Sequence, residues 1–300
     1  MRTAVIDIGS NTLLLLIVEP DASGTLKPII DLCRFGRLGK GLDASGNLHA
    51  ESIAKSLDIC REYRGVMDEH RVAKPKIIGT QALREAKNAA EFLAPAEAIL
   101  GAPIEVIAGK READLAFTAV AKTFPELAGT PYVVVDVGGA STELITTDGT
   151  RVVTAVSVPI GVVRLTERHL HHSPPTADEL AALEADIDRH LAELALPTGV
   201  PVIGTAGTAT TMAAIKLELA HYDSSAVTGL RLSPEVIDAQ RARLAAATAD
   251  DRRAIRGLQP ERADVILAGI VIYARVVKRI GAPVMITCDR GIRWGIAYES

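Results

Sequence analysis

Cysteine, long hydrophobic runs and an excess of either charge are all scarce in this sequence, and each scarcity removes a class of protein. The three cysteines, Cys33, Cys60 and Cys288, are scattered, with no CxxC pair. That excludes a disulfide framework and a cysteine-ligated zinc site, and leaves them as small buried hydrophobes. The apolar stretch near the start, Leu13 to Val18, is far shorter than the ~20 residues that cross a bilayer. Arg2 is soon followed by Asp7, and no small-residue cleavage site follows an apolar run. No secretory leader is read, so the expectation is a cytoplasmic protein with no membrane partner. A net charge of −4 and a pI of about 6.0 argue against a protein that coats nucleic acid. With 48% hydrophobic and 23% charged residues, the composition is that of a soluble globular chain.

What is present is a motif that occurs twice. Ala4 to Glu19 reads AVIDIGSNTLLLLIVE, and Val133 to Thr147 reads VVVDVGGASTELITT. In each copy a β-branched run ends in Asp, then Gly and small polar residues, then a second apolar stretch. A strand, a tight turn and a returning strand make a hairpin whose backbone N–H groups can face an anion. The copies open the two halves of a 300-residue chain, which favours two domains. The stretch from Phe124 to Pro131 holds two prolines and a glycine. It places the boundary so that the domains are residues 1–125 and 126–300.

Strands and helices alternate throughout. Strands are expected at Thr3–Ile8, Leu13–Val18, Lys76–Gly79 and Ile104–Ile107, and helices at Ala50 to about His70 and Lys110–Lys122. In the second half a meander runs through Tyr132–Val137, Thr142–Thr147 and Val152–Val158. Thr176 and Glu179 are spaced as a capping box for a helix with an apolar stripe at Leu180, Leu183, Ile187, Leu191 and Leu194. A strand follows at Val200–Gly204, and Ser233-Pro234 starts another helix with Pro at its first position. Arg262–Arg279 reads as a long, mostly apolar helix and Val284–Thr287 as the last strand. This order implies mainly parallel strands flanked by helices and elaborated by hairpins. The apolar run of the last long helix could be core or a homodimer seam.

Three glycine turns carry the candidate chemistry. In the first, Gly9 permits close backbone approach, and Ser10, Asn11 and Thr12 offer donors to phosphate oxygens; a plain Asx turn is the alternative. In the second, Gly138 and Gly139 follow a strand end with Ser141 nearby, and Asp136 and Glu143 are hard oxygen ligands suited to Mg²⁺. The third, Gly204 to Thr211, opens a helix whose free N–H groups could bind an anion at Gly207 and Thr208. The cluster of His169, His171 and His172 reads as a solvated helix end rather than a metal site.

These pieces, in this order, resemble the Ppx/GppA family of exopolyphosphatases and guanosine pentaphosphate phosphohydrolases. Further matching stretches are RFGRLGKGL from Arg34, TQALREAKN from Thr80, IAGKREADLAF from Ile107, VPIGVVRLTE from Val158, LQPERADVILAG from Leu258 and CDRGIRWGI from Cys288. The resemblance covers nearly the whole chain. It implies an α/β fold of two actin-like (ribonuclease H-like) duplicated domains with a central cleft, mixed sheets flanked by helices, of the short two-domain type. It implies hydrolysis of a terminal phosphoanhydride with Mg²⁺ or another divalent cation, on inorganic polyphosphate or guanosine pentaphosphate. The family's catalytic glutamate falls on Glu112, and Asp136 and Glu143, with Asp7, on the metal. Among the basic residues, Arg37, Arg84 and Arg293 lie in matching stretches and are the expected anion contacts.

Two departures stand out. Ala140 sits where the family often has a third glycine, and Lys110 and Arg111 precede Glu112 where acidic residues are often found. A kinase of related fold and a non-catalytic polyanion or alarmone sensor are the rival readings.

Overall fold

The computed structural model describes residues 2–299. The chain divides into two compact units, Met1–Ala119 with Ile292–Ser300, and Val120–Gly291.

The first unit contains strands β1 (Thr3–Ile8), β2 (Leu13–Pro20) and β3 (Leu26–Arg34), then helices α1 (Leu42–Ser45) and α2 (Ala50–Glu69). Strand β4 (Lys76–Gly79), α3 (Gln81–Glu85), α4 (Ala90–Leu100), β5 (Ile104–Val106) and α5 (Gly109–Thr123) follow. The sheet runs β3-β2-β1-β4-β5. The hairpin pairs β1–β2 and β2–β3 are antiparallel, while β1–β4 and β4–β5 are parallel. Side chains alternate across a strand, and that alternation sorts β1 and β2 between two cores. Ala4, Ile6, Ile8, Leu13, Leu15 and Ile17 pack with α2 and α4 around Tyr63, Met67 and Phe92. Val5, Leu16 and Val18 pack with Leu115 of α5 and with Trp294 and Ile296, both from the last helix. Such two-faced burial is why these strands read as continuous apolar runs. Tyr63 Oη donates to the Leu13 carbonyl at 2.7 Å, which ties α2 to the start of β2.

The second unit holds β6 (Tyr132–Val137), β7 (Thr142–Thr147), β8 (Val152–Val158), α6 (Val162–His169), α7 (Ala177–Ala192), β9 (Val202–Thr205) and α8 (Ala206–Lys216). After these come α9 (Ser224–Val227), β10 (Arg231–Leu232), α10 (Pro234–Ala246), α11 (Ala249–Arg253), α12 (Ile266–Ile280) and β11 (Met285–Thr287); α13 (Ile292–Tyr298) returns to the first unit. The sheet order is β10-β11-β9-β6-β7-β8. From β8 to β9 it repeats the plan of the first sheet, with β6–β7–β8 antiparallel and β6–β9 parallel. Val133, Val135 and Val137 join α7, α10 and α12 in one large core. Tyr273 lies fully buried there and donates to the carbonyls of Val135 and Thr205, at 2.9 and 2.8 Å.

Most expected elements are present, including the Thr176–Glu179 capping box, with both of its hydrogen bonds. Several expectations need correction. The sheets are mixed, as the family resemblance implies, whereas the alternation of elements alone pointed to mainly parallel strands. Strand β3 was not expected, because Pro28 and Asp31 break its apolar pattern; it is an edge strand, and a bulge beside Val18 places Pro28 opposite it. Helix α4 carries Pro95 in its interior, the residue that usually argues against a helix. Helix α12 starts at Ile266, because Pro260–Arg262 forms a separate 3₁₀ turn. The apolar run of α12 is interior, with Ile266 to Tyr273 all buried, so it offers no dimer seam. The histidines are not simply solvated. His169 Nε2 lies 2.8 Å from the buried Asp186, and His172 Nδ1 2.8 Å from Glu179. Among the described residues no helix is long and apolar enough to cross a membrane.

Burial pushes the thiols of Cys60 and Cys288 up to about 12. Since the thiolate is the nucleophile, neither should react with iodoacetamide at pH 8 in the native protein. Both should be alkylated once the chain is unfolded, as peptide mass mapping would show.

Candidate active site

Both glycine loops are closed in the same way. The Gly9 amide donates to the Thr12 carbonyl at 2.9 Å, and the Gly138 amide to the Ser141 carbonyl at 2.9 Å. A Cβ at Gly9 would stand 3.2 Å from the Thr12 oxygen, and one at Gly138 3.1 Å from the Ser141 oxygen. A side chain at either glycine would therefore press on the bond that shapes the turn.

The segment after the third strand then folds back onto each loop. In the first unit the amides of Arg37 and Gly39 donate to the carbonyls of Asn11 and Ser10, at 3.0 and 2.7 Å. In the second, Val162 and Val163 donate to the carbonyls of Gly138 and Gly139, at 3.0 and 2.8 Å. Ser10, Asn11 and Ser141 are buried, and so is Ala140. Gly161 packs directly on the loop backbone: a Cβ there would fall 2.5 Å from both the Ala140 nitrogen and the Gly139 carbonyl carbon.

The carboxylates follow from strand parity. Asp7 has the parity of Val5, so it lies on the face covered by α5 and α13. Glu112, in the first turn of α5, is on that same side of the sheet. Glu112 is buried, and burial raises its pKa above the ordinary carboxylate value; the Arg84 guanidinium opposes that rise without cancelling it. Arg84 Nη1 donates to Glu112 Oε1 and, at 2.5 Å, to the Ile107 carbonyl. In the second unit Asp136 and Glu143 are direct cross-strand partners, on the sheet face away from Val133, Val135 and Leu144. Glu143 is buried, and its Oε1 accepts from Ser141 Oγ at 2.8 Å and Ser157 Oγ at 2.7 Å. Two adjacent carboxylates with hydroxyls beside them form a hard-oxygen donor set. That suits Mg²⁺, which takes one or two carboxylates and fills its octahedron with water and phosphate oxygens. No group of three or more His, Cys, Asp or Glu side chains is poised for a metal among the described residues.

Comparison with known proteins shows the family. The sequence profile of the Ppx/GppA phosphatase family matches residues 16–300. The chain belongs to the Ppx/GppA phosphatase family. It is 34% identical to Exopolyphosphatase 2 of Mycobacterium tuberculosis, over 99% of this chain and 98% of that protein. Among solved structures, an exopolyphosphatase-like protein superposes with a TM-score of 0.93 at 34% identity, covering 99% of this chain and 97% of the other. The Aquifex aeolicus Ppx/GppA family member gives 0.83 at 32%, covering 100% and 97%. An exopolyphosphatase from Cytophaga hutchinsonii gives 0.90 at 28%, covering 99% and 97%. The Ppx/GppA chain therefore has the duplicated actin-like fold and is a phosphoanhydride hydrolase.

The basic residues divide. Arg37 holds a left-handed backbone, φ 57°, which is uncommon outside glycine and concentrates at functional positions. Arg293 is buried and donates to Asp31 Oδ1 at 2.6 Å. In the third turn Thr208 is buried against Gly269, and Thr211 Oγ1 donates to the Gly207 carbonyl at 2.6 Å. Gly207 itself lies under Arg262: a Cβ there would be 2.5 Å from the guanidinium carbon.

Two arginines were not ranked by sequence reasoning. Arg262 is one; its place in the LQPERADVILAG stretch was the available signal. Arg164 is the other. It is buried in the first turn of α6, its amide 3.3 Å from the Gly139 carbonyl, three residues beyond the glycine that packs on the loop.

Gly161→Ala should displace the second loop, because its new methyl meets backbone rather than a flexible side chain. A loss of about 1–3 kcal/mol in stability is expected, with a large fall in phosphate release. Gly65→Ala is the control: it is a helical glycine with nothing within 4 Å of the added Cβ, and should stabilise by about 0.5–1 kcal/mol. Thermal melts of both variants test the pair.

Proposed function

We propose that this chain is an exopolyphosphatase, which removes terminal orthophosphate from inorganic polyphosphate with a divalent cation, Mg²⁺ in the first instance. The observation that carries the reading is Glu112: a buried carboxylate of raised pKa, held by Arg84 on the side of the sheet that also bears Asp7. The name of the Mycobacterium tuberculosis relative supports the substrate class.

In this reading the donors of the Gly9–Thr12 and Gly138–Ser141 turns bind phosphate oxygens, and Arg37 adds charge beside the first turn. Asp136 and Glu143, with Asp7, would hold the cation, which would neutralise charge on the phosphates. Glu112 accepts a hydrogen bond from water and orients it in line with the terminal phosphorus. As the water oxygen bonds to phosphorus, its proton passes to Glu112 and the bridging P–O bond breaks. The bridging oxygen leaves with the shortened chain, and orthophosphate is released. Phosphoryl transfer asks the protein mainly for positioning and charge neutralisation. A base of raised pKa is a stronger proton acceptor than an ordinary carboxylate at the same pH.

Phosphate release by the purified protein with Mg²⁺ should be seen with short and long polyphosphate and compared with guanosine pentaphosphate. Glu112→Gln should lose activity by at least about 10²-fold, in keeping with the loss of a general base. Preference for the pentaphosphate would reassign the substrate, and an active Glu112→Gln enzyme would remove the catalytic assignment. The ionised carboxylate is the active form, and its folded pKa is raised. Activity should therefore be lost as pH falls through a value above the ordinary glutamate pKa of about 4.3, and the acid limb of the pH–rate profile measures this.

A further inference from the structure

Arg84 sits at a junction. Its helix, α3, begins at Thr80, whose amide donates to the Ile8 carbonyl at 3.2 Å. A Cβ at Gly9 would stand 4.0 Å from Thr80 Oγ1, so the start of α3 rests on the base of the first glycine loop. One turn further on, the Arg84 guanidinium is shared between the Glu112 carboxylate and the Ile107 carbonyl. The two partners differ in freedom: the Glu112 side chain is 9% exposed and that of Arg84 is 25% exposed. The Glu112 side chain is the more enclosed of the two, while that of Arg84 keeps some access to solvent.

We propose that Arg84 is a two-position clasp: it holds Glu112 while the site is empty and transfers to the terminal phosphate of the substrate when that phosphate enters the first loop. The inference rests on the proposed hydrolysis and adds a gate to it. A phosphate carries more negative charge than a carboxylate and offers guanidinium a bidentate geometry. It therefore competes with the Glu112 carboxylate for the guanidinium, whose helix starts on the first loop. Once the clasp has moved, Glu112 is left in a buried place with its opposing cation withdrawn.

The electrostatics match this exchange. Burial raises the pKa of Glu112, and Arg84 is the charge that holds it down. On the same helix Arg111 is turned to Glu299, at 2.9 Å. Moving Arg84 onto phosphate therefore makes Glu112 a stronger base at the moment a substrate is present, and keeps it ionised and aligned before then. Arg84 is a positioning residue toward the water and a binding residue toward the phosphate.

The test is the pair of acid limbs of kcat/KM and kcat, which report the free enzyme and the enzyme–substrate complex respectively. Polyphosphate and Mg²⁺ are the probe, in wild type and Arg84→Gln. The ionisation of the substrate is common to both proteins and cancels in the comparison. A clasp predicts that Arg84→Gln moves the kcat/KM limb to higher pH and leaves the kcat limb where it was. At neutral pH kcat/KM should fall about 10²-fold, the usual cost of one lost charge-stabilising donor. If both limbs move together, Arg84 never leaves Glu112 and the proposal is overturned. If neither moves, Arg84 does not govern Glu112 and it is overturned likewise. Arg84→Lys, which keeps the cation but not the fork, should show the same one-sided displacement in smaller measure. It decides the matter should the glutamine variant fail to fold or to turn over. Wild-type protein that hydrolyses neither polyphosphate nor guanosine pentaphosphate would remove the underlying function, and the clasp with it. Robust hydrolysis with the wrong limb pattern would remove the clasp alone.

Discussion

A glycine amide reaching across its own turn, 2.9 Å to the carbonyl three residues on, fixes the loop at the end of the first strand in each unit. In each unit the neighbouring segments are arranged around that bond. With the turn closed, the loop carbonyls point to where the segment after the third strand can donate to them. That return contact draws Arg37 and Gly39 onto the first loop and Gly161 and α6 onto the second. The strand just before the loop carries an aspartate at the same register in both units, Asp7 and Asp136. Duplication thus preserved a backbone device, and the side chains around it diverged. Asp136 faces Glu143 across the hairpin, whereas Asp7 faces Leu14. Only the second copy pairs two carboxylates.

Around Glu112 in the first unit, two effects contend over one group. Burying a carboxylate disfavours its charge, and placing a guanidinium against it favours the charge. For Glu112 burial wins, and Arg84 opposes it. Elsewhere the same contest is decided the other way. Asp186 is buried too, but His169, Arg168 and Arg189 surround it and hold its pKa below the ordinary value despite desolvation. A carboxylate held by Arg168, His169 and Arg189 is a fixed joint between α6 and α7. Glu112 instead is held by Arg84 from another helix.

The hairpins were legible in the sequence because both faces of β1, β2 and β6 are buried, and the β-branched runs of β1 and β6 stop sharply at Gly9 and Gly138. The Thr176 helix was legible because its cap and its stripe are local signals. Strand β3 was hidden by Pro28 and Asp31, and α4 by Pro95, since each depends on packing that a local pattern does not contain. The site was legible in part. The loop glycines and the aspartates declare themselves by repetition, whereas Glu112 stood out only through family resemblance, because one acid on a helix carries no signal of its own. What lay beyond sequence was long-range pairing: Arg84 with Glu112, Arg262 over Gly207, His169 with Asp186. These contacts join residues remote along the chain, and nothing in local spacing selects the partner.

The return of α13 to the first unit has a consequence for how the molecule is made. Val5, Leu16 and Val18 near the beginning of the chain share a hydrophobic cluster with Trp294, Ile296 and Ala297. On the ribosome the face of the first sheet that carries Asp7 must wait, partly uncovered, while the whole second unit is synthesised. The unit begun first is finished last. An early segment with an apolar face exposed for that long is where a nascent-chain chaperone would have most to do, and completion of this face coincides with arrival of the last helix.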